Sequence, residues 1–259
     1  MKFIGIIPAR YDSSRFPGKP LADMAGKPMI QRVYEQVRST VDELVVATDD
    51  QRIVDAVLSF GGRVVLTSKD HQSGTDRCYE AFLKAGNGFD VIINIQGDEP
   101  FIQPEQIELL KRCFSDEHAH IATLAKPITV DNDFEQTILN PNMPKVVINN
   151  RQEALYFSRS AIPFIRGIAY AEWLKTHTFY KHIGLYAYRS NVLKEITALP
   201  RSTLEIAESL EQLRWIQNGY KIKVAITNQE TIGIDTPEDL EKAIQYFPSL
   251  RGGKKLSFT

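Results

Sequence analysis

Three cations, Arg10, Arg15 and Lys19, stand within ten residues of one another in the run Pro8-Ala9-Arg10-Tyr11-Asp12-Ser13-Ser14-Arg15-Phe16-Pro17-Gly18-Lys19-Pro20. Cations at that density suit a polyphosphate, with arginine as a forked donor and lysine as a point charge. A solvated basic loop is the alternative, which the position of the run directly after the first apolar strand disfavours. Two carboxylates distant in sequence, Asp98 in Gln96-Gly97-Asp98-Glu99-Pro100 and Asp235 in Gly233-Ile234-Asp235-Thr236-Pro237, are of the type that holds Mg²⁺ against phosphate oxygens. Water and substrate would complete the octahedron. Read structurally, Asp98 is a turn residue shaped by Gly97, and Asp235 is a residue at the start of a helix. Asp49-Asp50 is a second acidic pair, but Asp50 is better explained as the N-cap of a helix that begins near Arg52. Gln72-Ser73-Gly74-Thr75-Asp76-Arg77 opens a further helix, whose free N–H groups can meet a base edge or an anion. Ser73 and Gly74 are the candidates for base or ribose contacts, and an ordinary serine cap is the equal alternative for Ser73.

A scaffold must gather these residues. Phe3 to Ile7, Glu43 to Thr48, Arg63 to Thr67 and Val91 to Ile95 read as strands. Helical patterns alternate with them: one from Pro28 with Ile30, Val33, Tyr34 and Val37 on one face, then Arg52 to Phe60, Gly74 to Ala85 and Pro104 to Phe114. That alternation predicts an α/β fold with a mostly parallel sheet flanked by helices. In such sheets ligands bind at the carboxyl ends of strands, which is where the basic run and Asp98 fall. The run is no Walker A loop, because Gly18-Lys19 and Gly26-Lys27 are each followed by proline and lack the earlier glycine; no dinucleotide fingerprint is present either. Past Ile121 a β-rich excursion is expected, with strands at Ile121 to Ala125, Lys145 to Ile148, Lys181 to Arg189 and Lys221 to Ile226. One helix is expected from the capping box of Ser202 and Glu205 to Gly219, with Glu208, Glu211 and Gln212 forming a polar patch on it. Thr236-Pro237-Glu238-Asp239 starts the last helix with a cap, a first-turn proline and two acids matched to the helix dipole.

The chain has 259 residues, of which 43% are hydrophobic and 24% charged, so a globular fold is expected and disorder is excluded. No linker or repeat divides it, and a single domain over 1–259 is expected, with 251–259 as a flexible tail. Thirty-one Lys and Arg against 32 Asp and Glu leave a formal charge of -1, which provides no global field for a nucleic acid. Cys78 and Cys113 are too few for a disulfide scaffold or a cysteine zinc site, which fits a reducing cytoplasm. The opening apolar run stops at Pro8 and Arg10, well short of a signal core or a membrane span.

Four strings, IIPARYDSSRFPGKPL, HQSGTDR, NIQGDEP and GIDTPEDL, together resemble the 3-deoxy-manno-octulosonate (KDO) cytidylyltransferases, also called CMP-KDO synthetases, in the same order along nearly the whole chain. The resemblance implies a nucleotidyltransferase architecture. It also implies transfer of CMP from CTP to the anomeric hydroxyl of KDO with release of pyrophosphate, a cytoplasmic step toward lipopolysaccharide. It further implies Mg²⁺ on Asp98 and Asp235, small-molecule substrates with no nucleic-acid or membrane partner, and a homodimer. Pro8, Ala9, Arg10, Arg15, Lys19, Ser73, Gly74 and Gln96 are then the nucleotide contacts, with Arg10, Arg15, Lys19, Asp98 and Asp235 in the catalytic set. Arg77, Gln96, Arg159, His182, Tyr186, Glu211 and Gln212 are the expected sugar contacts. Arg159 is the candidate fork for the sugar carboxylate. For Arg77 a surface pair with Asp76 or Glu80 stays open. His182, Gly184, Tyr186 and Tyr188 should share one strand face. Two other readings remain: the same chemistry on 8-amino-KDO or sialic acid, and a nucleotide-sugar binding protein without turnover.

Overall fold

The computed structural model describes residues 1–13, 15–86, 88–130 and 134–250, without the side chains of 246–250, so the expected tail 251–259 lies outside the described residues. In chain order the elements are β1 (Phe3–Ala9), α1 (Met29–Val37), β2 (Glu43–Thr48), α2 (Gln51–Ser59), β3 (Val64–Leu66), α3 (Gly74–Ala85), β4 (Val91–Asn94), α4 (Pro104–Cys113), β5 (Ile121–Ile128), α5 (Phe134–Thr137), β6 (Lys145–Ile148), β7 (Ala154–Ser158), α6 (Trp173–Thr176), β8 (Phe179–Arg189), α7 (Ser190–Thr197), α8 (Thr203–Glu208), α9 (Gln212–Gln217), β9 (Ile222–Ile226) and α10 (Pro237–Leu250). The chain forms two compact units. The first holds Ile4–Gly88, Asn94–Pro104 and the chain from Thr231 on; the second holds Met1–Phe3, Phe89–Ile93 and Glu105–Glu230.

In the first unit β1, β2 and β3 run parallel, with Ile6 opposite Val45 and Ala47 opposite Val65. Ile4, Ile6 and Ile7 are all fully buried, as expected of a parallel strand covered on both faces. Met29, Ile30, Val33, Tyr34 and Val37 are the buried face of α1, and Asp50 caps α2 by accepting the Arg52 N–H. The backbone beyond β4 stays paired for one more residue, Ile95 N–H donating to Ile6 O at 2.9 Å, and then turns at Gly97. A Cβ on Gly97 would lie 3.0 Å from the Pro8 carbonyl oxygen, so the turn needs glycine to come this close to the end of β1. The start of α10 belongs to the same unit, where Ile234 and Ala243 pack with Met24, Met29 and Phe101. Thr236 Oγ1 accepts the Asp239 N–H at 3.2 Å and Asp239 Oδ2 accepts the Thr236 N–H at 3.0 Å, a reciprocal cap that fixes where the helix begins.

The second unit is the β-rich excursion. β5 pairs antiparallel with β8 and parallel with β9, while β6 pairs antiparallel with β7 and β8. The β5/β8 register shifts between Thr123 and Leu124, whose partners are Tyr186 and Ile183. The two extra residues on β8, Gly184 and Leu185, absorb the bulge, and His182 and Tyr186 stay on one face.

The single helix expected from Ser202 to Gly219 is instead two. The capping box of Ser202 and Glu205 is present, but Ser209 adopts a left-handed conformation (φ 50°) that ends α8. Glu208 sets the break: its carboxylate accepts from Ser158 Oγ at 2.6 Å and Arg159 N–H at 2.9 Å, and its carbonyl accepts from Arg159 Nε at 2.6 Å. Glu208 therefore ends one helix and Gln212 starts the next, so the expected patch of Glu208, Glu211 and Gln212 on one continuous helix does not form.

Candidate active site

The segment after β1 folds around the Tyr11 carbonyl, which accepts from Ser13 N–H at 3.1 Å and Gly18 N–H at 2.8 Å. Gly18 has φ 72°, a backbone state that disfavours side-chain-bearing residues, and it lies against the Tyr11 ring. The Tyr11 ring also carries the Arg52 guanidinium over it, 3.2 Å from the ring centroid. This turn sends Lys19 inward. Its ammonium donates to Asp98 Oδ2 at 2.6 Å and to Asp235 Oδ1 at 3.4 Å, and Arg15 donates to the same Asp235 oxygen at 3.0 Å. Two carboxylates from distant sequence thus meet at one cation. A backbone bond, Ile234 N–H to Asp98 O at 2.9 Å, holds the two segments side by side. Lys19 and Asp98 are the sheltered members, whereas Arg15 is 66% exposed and Arg10 also faces solvent. Among the described residues no group of three or more His, Cys, Asp or Glu side chains gathers to hold a metal. The pair of hard oxygen donors here fits an ion that takes most of its shell from water and substrate.

β4 stops at Asn94 and Asp98 lies in a turn, so strand alternation does not separate Asp98 from Glu99. Gln96 is half-buried in the same connection, and Ala9 is the buried last residue of β1. Ser73 is the cap of α3, its Oγ accepting the Asp76 N–H at 3.1 Å. A Cβ on Gly74 would lie 3.5 Å from Pro8 Cγ, so the start of α3 sits beside the end of β1. The chain leading to Ser73 is gathered by Glu80, which accepts from Ser68 N–H at 2.9 Å, pairs with Lys84 at 2.6 Å and meets the His71 ring. Partial burial works against its charge, yet the hydrogen bonds from Lys84, Ser68 and His71 hold its carboxyl down at about 2.

Arg77 requires a correction. Its side chain is 1% exposed, and its guanidinium donates to Thr67 Oγ1 at 2.6 Å and Asp49 Oδ2 at 2.8 Å. It forms neither the surface pair with Asp76 or Glu80 nor an exposed fork for a sugar, because Asp49 and Thr67 at the ends of β2 and β3 draw it inward. Asp49, set aside in the sequence, is its partner.

The second unit brings together a different set. His182 Nε2 lies 3.1 Å from Thr123 Oγ1, and the Thr123 hydroxyl is also within reach of the Ile183 and Leu185 carbonyls at 3.1 and 2.9 Å. A hydroxyl that donates to a carbonyl accepts from the ring, which selects the Nε2–H tautomer. Burial among Phe157, Tyr186 and the strand pushes the imidazole down to about 3, so it is neutral. Burial, with Tyr188 and Glu211 adding to it, pushes the Tyr186 phenol well above its ordinary value. The Trp215 indole stands edge-on to Tyr186 and Tyr188, at 5.2 and 5.5 Å. On the same helix, α9, the side-chain nitrogens of Gln212 and Trp215 are buried with no hydrogen-bond partner. Buried donors of this kind can serve acceptors brought by water or a ligand. Glu211 pairs with Arg214 at 2.6 Å. Arg159 is separately tethered: its guanidinium donates to the carbonyls of Glu208, Pro141 and Ser209, and its own carbonyl accepts from Lys145 at 2.7 Å. Lys145 is fully buried, and that burial lowers its ammonium to about 8. Sequence reasoning missed Thr123, Lys145 and Trp215, which carry no motif; only their neighbours on the strand and helix faces give them a role.

Residues 4–223 match the model of the cytidylyltransferase family. A 3-deoxy-manno-octulosonate cytidylyltransferase from Parabacteroides distasonis is 71% identical over 246 residues, covering 95% of this chain and 98% of its own. One from Bacteroides thetaiotaomicron is 65% identical over 246 residues, with coverage of 95% and 98%. A solved CMP:2-keto-3-deoxy-manno-octonic acid synthetase complexed with CTP superposes with a TM-score of 0.87 at 44% identity, over 96% of this chain and 100% of its own. The α/β fold expected from the strand and helix pattern is present, as is the nucleotidyltransferase architecture that the resemblance implied, and the chain belongs to the 3-deoxy-manno-octulosonate cytidylyltransferase family.

Proposed function

We propose that this enzyme transfers CMP from CTP to the anomeric hydroxyl of KDO, releasing pyrophosphate. The observation that carries the reading is the convergence of Lys19, Arg15, Asp98 and Asp235 beside the end of β1, in a member of this family. The sugar hydroxyl attacks the α-phosphorus, its bond to phosphorus forms as the bond to the bridging oxygen breaks, and the hydroxyl proton is released. Such transfers depend mainly on positioning and on neutralising charge. Arg10, Arg15 and Lys19 bind the triphosphate and stabilise the leaving pyrophosphate. Pro8, Ala9, Ser73, Gly74 and Gln96 bind the cytidine. His182, Tyr186, Glu211 and Gln212 orient the sugar. Neutral His182 and un-ionised Tyr186 act as hydrogen-bonding groups in this role and carry no charge. Arg159 receives the sugar carboxylate with the two guanidinium N–H bonds that its three carbonyl partners leave over.

Asp98 and Asp235 would hold Mg²⁺, which when bound supplies charge neutralisation to phosphate and acidity to an attached hydroxyl. We place the reaction in the cytoplasm, as a step supplying activated KDO for lipopolysaccharide. No helix among the described residues is long and apolar enough to cross a membrane. We also propose a homodimer, supported by the exposed rings of Phe164 and Tyr170 around Trp173, and sedimentation of the purified chain measures it. The test of function is pyrophosphate release with Mg²⁺ and CTP. KDO should turn over, while sialic acid, or ATP in place of CTP, should give little. Equal use of sialic acid, or none of KDO, overturns the reading.

A further inference from the structure

The Asp49–Arg77 pair spans three elements. Arg77 stands in the first turn of α3, one turn after Ser73, whose carbonyl accepts the Arg77 N–H at 3.3 Å. Its guanidinium reaches across to the chain beyond two strands: Asp49 follows β2, and Thr67 follows β3. Thr67 is itself anchored to Thr48, the last residue of β2, through its N–H at 2.7 Å and its hydroxyl at 3.1 Å, both to the Thr48 carbonyl. The strand ends and the first turn of α3 are thus joined by a buried ion pair and the hydroxyl between them. A guanidinium is the one cationic group with enough fixed donors to serve a carboxylate, a hydroxyl and the packing of a helix at once.

The bond geometry assigns a direction of action. Ser73 and Gly74 open α3, and Gly74 lies against Pro8 at the end of β1. Rotation or translation of α3 moves the start of that helix relative to β1, and its free N–H groups move with it. Arg77 is too buried to reach a ligand, so any influence on the reaction passes through the backbone it holds.

We propose that Arg77, locked by Asp49 and Thr67, is a positioning residue for the nucleotide: it sets where the start of α3 stands against β1, and it does not contact the sugar. This rests on the reading of Ser73 and Gly74 as nucleotide contacts. It predicts an asymmetry between the two substrates. Weakening the lock raises KM for CTP and leaves KM for KDO unchanged, whereas a sugar ligand gives the reverse.

The experiment measures both KM values and kcat by pyrophosphate release for wild type, Arg77→Lys, Asp49→Asn and Thr67→Val. CTP affinity without KDO is read by calorimetry, and folding by circular dichroism. Thr67→Val keeps the side-chain shape and removes only the hydroxyl, so it stays informative if breaking the buried ion pair prevents folding of the other two. The expected result is a rise of at least about fivefold in KM for CTP in each folded variant, with matching weaker calorimetric binding and KM for KDO within about twofold of wild type. Arg77→Lys restores charge without the fork and should sit between wild type and Asp49→Asn. A rise in KM for KDO with KM for CTP unchanged would make Arg77 a sugar contact and overturn the proposal. Unchanged constants in a folded Thr67→Val or Asp49→Asn enzyme also overturn it. An inactive wild type instead refutes the proposed function itself.

Discussion

His182 provides a quantitative test of how the second unit is built. Its ring is held against Thr123, Phe157 and Tyr186, and burial lowers its pKa from 6.5 to about 3. The folded state therefore resists the proton that the unfolded chain accepts. Because the folded pKa lies below the unfolded one, the stability that His182 contributes is complete above about pH 6.5 and drains away as pH falls through that value toward 3. At pH 5 the unfolded imidazole is about 1.5 pH units below its pKa, which at about 1.36 kcal/mol per unit costs roughly 2 kcal/mol. His182→Gln keeps a hydrogen-bonding side chain and cannot titrate. It should be less stable than wild type at pH 7, and the gap should close by about 2 kcal/mol at pH 5 as wild type alone pays for the proton. Urea melts of both proteins at the two pH values measure this. Trp173 and Trp215 are the chain's two tryptophans and both belong to the unit that carries β8, so their fluorescence follows the right part of the molecule. A gap that stays constant between pH 7 and pH 5 would show that His182 is not buried neutral, and a widening gap would show that it is charged when folded.

The charged cluster supplies two further expectations. Arg15→Ala and Lys19→Ala should each lower kcat/KM by at least about tenfold, because a charge-assisted contact contributes roughly 1.5–3 kcal/mol, and near-normal kinetics in both would return the segment to a solvated loop. Asp98→Asn keeps the shape and removes the charge that Mg²⁺ needs, so pyrophosphate release measured across Mg²⁺ concentrations should nearly vanish while Glu99→Gln retains more. A folded Asp98→Asn enzyme with the wild-type rate and Mg²⁺ requirement would exclude Asp98 as the ligand.

What the sequence revealed and what it hid divide along local versus long-range causes. The caps at Asp50, Ser73, Ser202 and Thr236 were legible because a cap is a contact between residues two or three apart. The parallel strands of the first unit were legible because full burial leaves an uninterrupted β-branched run. The break after Glu208 was not, since its partners Ser158 and Arg159 are about fifty positions away and no propensity at 202–219 announces them. Arg77 failed in the same way. Its local neighbours Asp76 and Glu80 are plausible helix partners, and only the fold brings Asp49 within 2.8 Å. Asp98 and Asp235 were found as individual residues by motif, but that both meet Lys19 is again a product of the fold.

The stoichiometry of that cluster bears on how the proposed substrates bind. Arg15 and Lys19 carry two positive charges, and Asp98 and Asp235 carry two negative ones, so the four side chains are balanced among themselves. A triphosphate arriving alone would compete with the carboxylates for Lys19 and Arg15 and would leave those carboxylates facing phosphate oxygens. A divalent cation arriving alone would displace Lys19 from Asp98, with which it pairs at 2.6 Å, and would leave that ammonium without its counter-charge beside the metal. Each therefore meets repulsion that the other relieves: phosphates take the cations that the metal displaces, and the metal takes the carboxylates that the phosphates repel. Linkage requires the coupling to be reciprocal, so Mg²⁺ should tighten CTP binding by the same factor by which CTP tightens Mg²⁺ binding. The sheltered position of Lys19 and Asp98 makes that factor larger than the same charges would give on an open surface, because screening by solvent weakens with burial.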